Sequence, residues 1–258
     1  MTSEERTYRR RAMTSEERTY RRWVQSELCF FEVRVGESDL LISAERPLQE
    51  TAERALSSIR GELEEYLAGD PDFAGALEPR EPTSGAPPIV ANMAEAARAC
   101  EVGPMAAVAG AVAQAVGEAL LEESEQVIVE NGGDIFLRTS RPRVAAIYAG
   151  ASPLSGKLGV RIGRVGQPLG LCTSSGTVGH SMSKGRADAA IVLAESGALA
   201  DAAATALGNS IRQAADIEAG LEFLNNIEGV LGAAAVLGEH LGAWGEVELT
   251  RLGGEAVR

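Results

Sequence analysis

The sequence predicts an α+β fold, mostly antiparallel sheets with helices layered against them. Three observations carry that expectation. Short alternating or apolar runs are joined by tight turns, as in ELCFFEVRVG followed by SDLLISA, and QVIVE-NGGD-IFLRT, which is how antiparallel strands follow one another. Long segments of helical spacing, Pro47 to Leu67 and Pro104 to Glu122, interrupt them. The order is neither strict strand–helix alternation nor all-strand, which sets helices on a mostly antiparallel sheet.

The opening runs predict a β-hairpin over residues 27 to 44, turning at Gly36. Pro47 suits a first helical turn, where its missing N–H costs nothing, and starts a long amphipathic helix. Gly69 to Pro88, rich in proline and glycine, predicts a loop. Helices follow at Ile89 to Cys100 and Pro104 to Glu122. The second is nearly all small residues, so it is expected to be buried on several sides and to let backbone or ligand approach closely. Strands are predicted at QVIVE, IFLRT, Val144 to Tyr148, Leu158 to Ile162, Leu169 to Ser174 and Asp188 to Ala194. Helices come next at Leu199 to Ile211 and Ile217 to Ile227. VLGAAAVLG and AWGEVELTRL are expected to close the chain as a hairpin.

Composition narrows the partners. A chain of 258 residues with 45% hydrophobic content buries a large core without staples. A net charge of −13 and a pI near 4.8 disfavour nucleic-acid and anionic-membrane surfaces, leaving small molecules in front. Cys29, Cys100 and Cys172 are odd in number with no CxxC, so neither a disulfide framework nor a zinc site is signalled and a reducing cytoplasm fits. No apolar run is long enough to span a membrane, and the N-terminus lacks the apolar core of a signal peptide. MTSEERTYRR at 1–10 recurs letter for letter at 13–22. Residues 1–22 are therefore read as a duplicated start segment and set aside. The small-residue helices fit a homodimer interface or a core equally well.

The chemistry concentrates between Cys172 and Asn209. Thr173-Ser174-Ser175-Gly176-Thr177 ends a predicted strand with hydroxyls and a glycine turn, the makings of an anion-binding concavity; the plain alternative is a polar loop. His180 follows, the side chain best suited to proton transfer near neutral pH, though a lone loop histidine is more often simply exposed. Lysine occurs only at Lys157 and Lys184. Lys184, beside glycine and hydroxyls, suits a phosphate oxygen. Asp201 and Thr205 stand four residues apart, on one face of a helix. There they form either a pair of hard oxygen donors for Mg²⁺ or ordinary helix surface. Upstream, Asn131-Gly132-Gly133-Asp134 makes a hairpin turn, or two bare glycines against a ligand with Asp134 on a ribose hydroxyl. Neither GxSxG nor a Cys/His pair at useful spacing is present, so a hydrolase built on the hydroxyl loop has least support.

Together, the small-residue helix, NGGD, the SSGT turn, His180 and ADAAATAL resemble the ApbE-type flavin transferases in their own motif order, clearly over residues 100 to 210. The likeness is to an uncharacterised prokaryotic ApbE-like subgroup and implies one ApbE-like domain over 23–258. Members of the family move FMN from FAD onto protein threonine or serine with Mg²⁺. The resemblance carries Asn131, Gly132, Gly133 and Asp134 onto the family's Asn-x-Gly-Gly-Asp loop, one residue short. It also carries Ser174, Ser175 and Gly176 onto Thr-Ser-Gly, His180 onto the histidine of His-x-x-Asp-Pro, and Asp201 with Thr205 onto the metal-binding Ala-Asp-Ala-x-x-Thr-Ala. It implies FAD or FMN and Mg²⁺ as ligands, His180 as the base and Lys184 as a cation near the phosphates. Departures are plain. Ala109, Gly110 and Gln114 stand where the family has Lys-Gly-x-x-x-Asp, and Ser183 and Lys184 stand where it has Asp-Pro. These losses make a non-catalytic ligand-binding or regulatory protein the alternative expectation.

Overall fold

The computed structural model describes residues 27–164, 166–176 and 185–252. The chain opens with the hairpin β1 (Cys29–Val35) and β2 (Ser38–Ala44), paired antiparallel from Cys29↔Ala44 to Val35↔Ser38. Gly36 turns it at φ 56°. Next come α1 (Gln49–Gly69), the short α2 (Pro71–Gly75) and α3 (Pro88–Ala99). A 3₁₀ turn at Pro104–Ala107 leads into α4 (Val108–Leu120). Strands β3 (Val127–Asn131), β4 (Asp134–Arg138), β5 (Arg143–Ala146), β6 (Leu158–Ile162), β7 (Leu169–Ser174) and β8 (Ala189–Ala194) follow. The chain finishes with α5 (Gly197–Ser210), α6 (Asp216–Asn225), β9 (Val230–Leu237), β10 (His240–Gly245) and β11 (Glu248–Arg251).

An eight-stranded antiparallel sheet runs β1-β2-β3-β4-β7-β8-β9-β10, and a second sheet of three runs β11-β6-β5. The expected α+β class is what the chain adopts. Side-chain alternation explains the layering, because successive strand residues face opposite sides. On β8, Ala190, Val192 and Ala194 face a core shared with the helices, while Ala189, Ile191 and Leu193 face a second core shared with the small sheet. Covered on both faces, β8 has no polar position to spare, which is why it reads AAIVLA. The helix-side core joins Leu40, Ile42, Val129 and Phe136 to α1, α3, α4, α5 and α6. The other joins Leu137, Leu169 and Leu171 to Val160 and Ile162 of β6.

α4 spends its small residues inside this core. A Cβ on Gly117 would lie 2.1 Å from the Phe136 ring, and one on Gly110 would lie 2.1 Å from the Gly197 carbonyl. The close approach expected of this helix is thus an approach of protein to protein.

Two expectations need correction. The loop at Gly69 to Pro88 contains α2, begun by Asp70, whose side chain accepts from the Phe73 amide at 3.0 Å; Phe73 is fully buried, edge-on to Tyr66 with ring centroids 5.3 Å apart. AWGEVELTRL is not a single strand. β9 and β10 do form the closing hairpin, with His240 opposite Leu237, but the chain then leaves the large sheet. Gly245 takes φ 69°, where a Cβ would lie 2.3 Å from the Leu231 carbonyl. Val247 buries in the second core, and β11 pairs with β6 at Leu249↔Val160. No single described helix is long and apolar enough to cross a membrane.

Candidate ligand-binding site

The candidate residues gather where α4, α5, the β3–β4 turn and the end of β7 meet. Asn131 and Asp134 pair across that turn, with Gly132 at φ 67° and Gly133 at φ 107°. Two successive positive φ values are what a two-residue hairpin turn of the primed kind requires. Glu130, which sequence reasoning passed over, is buried and its Oε1 accepts from the Gly133 amide at 2.9 Å, holding the turn from beneath.

The turn reaches in two directions. Asn131 Nδ2 donates to the Ala109 carbonyl at 3.0 Å. Asp134 is buried, and its Oδ1 accepts from the Thr173 amide on β7 at 3.3 Å. The peptide that joins Ala109 to Gly110 then carries the connection onward, since the Gly110 amide donates to Asp201 Oδ2 on α5 at 2.9 Å. One peptide group therefore links the NGGD turn to the carboxylate of the ADAAATA helix.

α5 is pressed against both neighbours at its first turn. A Cβ on Gly170 of β7 would lie 2.4 Å from the Ser196 carbonyl, and one on Gly197 would lie 2.5 Å from the Gly110 carbonyl. Only residues without a side chain allow this sandwich. Ser196 caps the helix, its Oγ accepting from the Leu199 amide at 3.1 Å. Gln114, from α4, accepts at Oε1 from the amides of Gly197 at 2.9 Å and Ala198 at 3.4 Å. The helix's leading N–H groups, ordinarily a ready anion site, are thus engaged by the protein itself. Gln114 entered the sequence reading only as a departure from a pattern. As a lone polar residue in the apolar first turns of a buried helix it was nonetheless the visible signal.

Thr173 and Ser174 are half-buried at the end of β7 and Ser175 is buried. Ser174 lies against α5, its Oγ 3.4 Å from where a Cβ of Gly208 would be. Gly176 donates its amide to the Ala187 carbonyl at 2.9 Å and packs on the Gly185 backbone, which itself packs on the Gly208 carbonyl. The hydroxyl run thus enters and the chain returns beside the C-terminal half of α5. Thr205, one turn beyond Asp201, is half-buried. Thr177, His180 and Lys184 lie outside the described residues.

Electrostatics mark the same spot. Burial raises the Cys172 thiol well above the ordinary cysteine range, and the charges of Asp134 and Asp201 raise it further. Burial likewise pushes Cys100 up to about 12, with Asp201 adding to it. Both thiols are protonated and unreactive, so neither is a nucleophile. Both carboxylates act on the one thiol, which places Asp134 and Asp201 beside Cys172 at the same junction. Asp201 and Thr205 offer oxygen only, the donor set that hard Mg²⁺ takes and that zinc or copper does not favour. Among the described residues no group of three or more His, Cys, Asp or Glu is placed to hold a metal, and Mg²⁺ needs no such group. A depression of about 500 Å³ over α1, lined by Glu50, Glu53, Arg54 and Ser57, holds none of these groups.

The family described as AbpE bacteria matches residues 21–235. This chain belongs to that family. Curated relatives similar to this chain carry the name UPF0280 protein. That of Methanocella arvoryzae is 41% identical over 215 residues, 83% of this chain and 87% of the relative; that of Methanosarcina acetivorans is 40% identical over 229 residues, 86% and 88%. Among solved structures, the flavinyl transferase ApbE of Pseudomonas stutzeri covers 84% of this chain and 94% of its own, with a TM-score of 0.55 at 16% identity. The ApbE protein of Thermotoga maritima covers 83% and 96%, with a TM-score of 0.51 at 13% identity. These two share the fold. The AbpE family assignment bears out the ApbE-like resemblance read from the motifs.

Proposed function

We propose that this AbpE-family chain binds a flavin nucleotide, FAD or FMN, or a closely related phosphorylated ligand, together with Mg²⁺. The observation that supports it is the junction at the Ala109–Gly110 peptide, which accepts from Asn131 and donates to Asp201. It ties the NGGD turn to the ADAAATA helix, and β7 brings Ser174 to the same helix, which supports reading them as walls of a single site. In this reading Ser174, Ser175, Gly176 and Thr177 take the phosphates and Asn131, Gly132, Gly133 and Asp134 form the opposite wall. Asp201 and Thr205 hold Mg²⁺, which would neutralise charge on the pyrophosphate.

As a transferase, the chain would move FMN from FAD to a serine or threonine of a protein acceptor. The acceptor oxygen bonds the FMN phosphorus, the anhydride P–O bond breaks and AMP leaves. His180 takes the acceptor's proton, and Lys184 balances charge as it builds on the phosphates.

Gln114 favours a second reading, that of a non-catalytic binding protein. It stands where the family pattern carries aspartate, with Ala109 in place of the lysine, and its side-chain oxygen is spent on α5. Loss of charged groups at a site commonly removes turnover while leaving a pocket. Both readings share the binding step, and titration calorimetry with FAD, FMN and ADP, with and without Mg²⁺, tests it. Magnesium-dependent heat with a flavin nucleotide is expected; silence from all three contradicts it. Transfer of FMN from FAD to a threonine-containing acceptor then separates enzyme from binder.

A further inference from the structure

We propose that Gln114 is the positioning residue for Asp201, setting the metal-binding carboxylate from a neighbouring helix without touching ligand. The inference rests on the Mg²⁺ reading for Asp201 and names what holds that group in place.

The contacts form a matched pair. On α4, Gly110 and Gln114 are one turn apart on one face; on α5, Gly197 and Asp201 are likewise. The two faces meet in opposite order. Gly110 donates to Asp201 Oδ2 at 2.9 Å, while Gln114 Oε1 accepts from Gly197 and Ala198 at 2.9 and 3.4 Å. Between the two lies the Gly110–Gly197 contact, where a Cβ on either residue would come within 2.5 Å of the other's carbonyl oxygen. With no side chain in the crossing, these two polar contacts bracket it and set the register of the first turns of α5 on α4 within the packing of the shared core. Gln114 Nε2 is held in turn by Glu118 Oε1 at 2.8 Å, so its amide is oriented with the oxygen toward α5. Releasing the Gln114 end lets the first turn of α5 shift, and Asp201 rides on the next turn.

Groups behind a metal ligand commonly change affinity by about 10- to 100-fold when removed. The test uses the full chain and three forms: wild type, Gln114→Ala and the double variant Gln114→Glu with Glu118→Gln. The double variant keeps the two acceptor contacts and exchanges donor and acceptor between positions 114 and 118; an alanine keeps neither. Two readouts are taken, the Mg²⁺ dissociation constant and, at one fixed pH without metal, the Gly110 amide proton resonance, which reports its hydrogen bond to Asp201. For Gln114→Ala the expectation is Mg²⁺ affinity about tenfold weaker and a displaced Gly110 resonance. The double variant restores both toward wild type. A Gly110 resonance unchanged in folded Gln114→Ala, or equal loss in the double variant, overturns the proposal. Should wild type bind no Mg²⁺, the metal reading fails alone, and the Gly110 resonance still decides the role of Gln114.

Discussion

The amide of Gly110 and the carboxylate of Asp201, 91 residues apart in sequence, meet in a buried hydrogen bond of 2.9 Å. It ties the small-residue helix to the helix proposed to carry metal, and the two positions have no room to drift. Replacing Asp201 therefore acts on stability as well as on binding. A hydrogen bond to a charged group contributes about 1.5–3 kcal/mol, so Asp201→Ala is expected to lower unfolding free energy by that order in urea titrations. Asp201→Asn keeps an acceptor for Gly110 and is expected to cost less, while losing Mg²⁺ as completely.

The glycine at the crossing is a second handle. A methyl on Gly110 would meet the Gly197 carbonyl at 2.1 Å and the Asp201 Cβ at 2.8 Å, both on one rigid helix. Overpacking of this kind costs about 1–3 kcal/mol or more. Gly110→Ala is expected to show that loss together with weakened Mg²⁺ binding, because the helices must part at the site. Gly117→Ala, which meets the Phe136 ring at 2.1 Å, should lose comparable stability yet keep its affinity, measured by thermal melts beside calorimetry.

The buried thiols make a prediction in pH. Cys100 is pushed up to about 12 from an ordinary 9.0, chiefly by burial. The folded state therefore holds a proton that the unfolded chain releases near 9. The stability this provides is complete below about 9 and is lost as pH climbs toward 12. A Cys100→Ala or Cys100→Ser variant is expected to flatten the alkaline fall in unfolding free energy between those limits. In native protein at pH 8, iodoacetamide is expected to label Cys29, which is half-exposed, and to spare Cys100 and Cys172, as peptide mass spectrometry would show.

Much of this was legible in the sequence, for identifiable reasons. Asn-Gly-Gly-Asp between apolar runs demands a primed turn, and Gly132 and Gly133 supply it. An all-apolar run such as AAIVLA signals a strand covered on both faces, and β8 is one. What escaped was set by tertiary contact. The departure of the chain at Gly245 depends on Leu231 and on the second core receiving Val247, and neither has a local signature. Phe73 closes the core beneath α1 from within a stretch whose prolines and glycines read as loop. Around the candidate site, the DxxxT spacing singled out Asp201, which is buried and bonded to the Gly110 amide. The work of Gln114 and Glu130, by contrast, lies in bonds to backbone amides that residue type alone does not announce.

One titration bears most directly on the whole account: calorimetry of FAD into the full chain with Mg²⁺ present, repeated without metal and with Asp201→Ala. Saturable heat that disappears in both controls, with the variant still folded by circular dichroism, is the predicted result. Equal binding in all three, or none in the first, contradicts the assignment of Asp201 to a metal-assisted phosphate site.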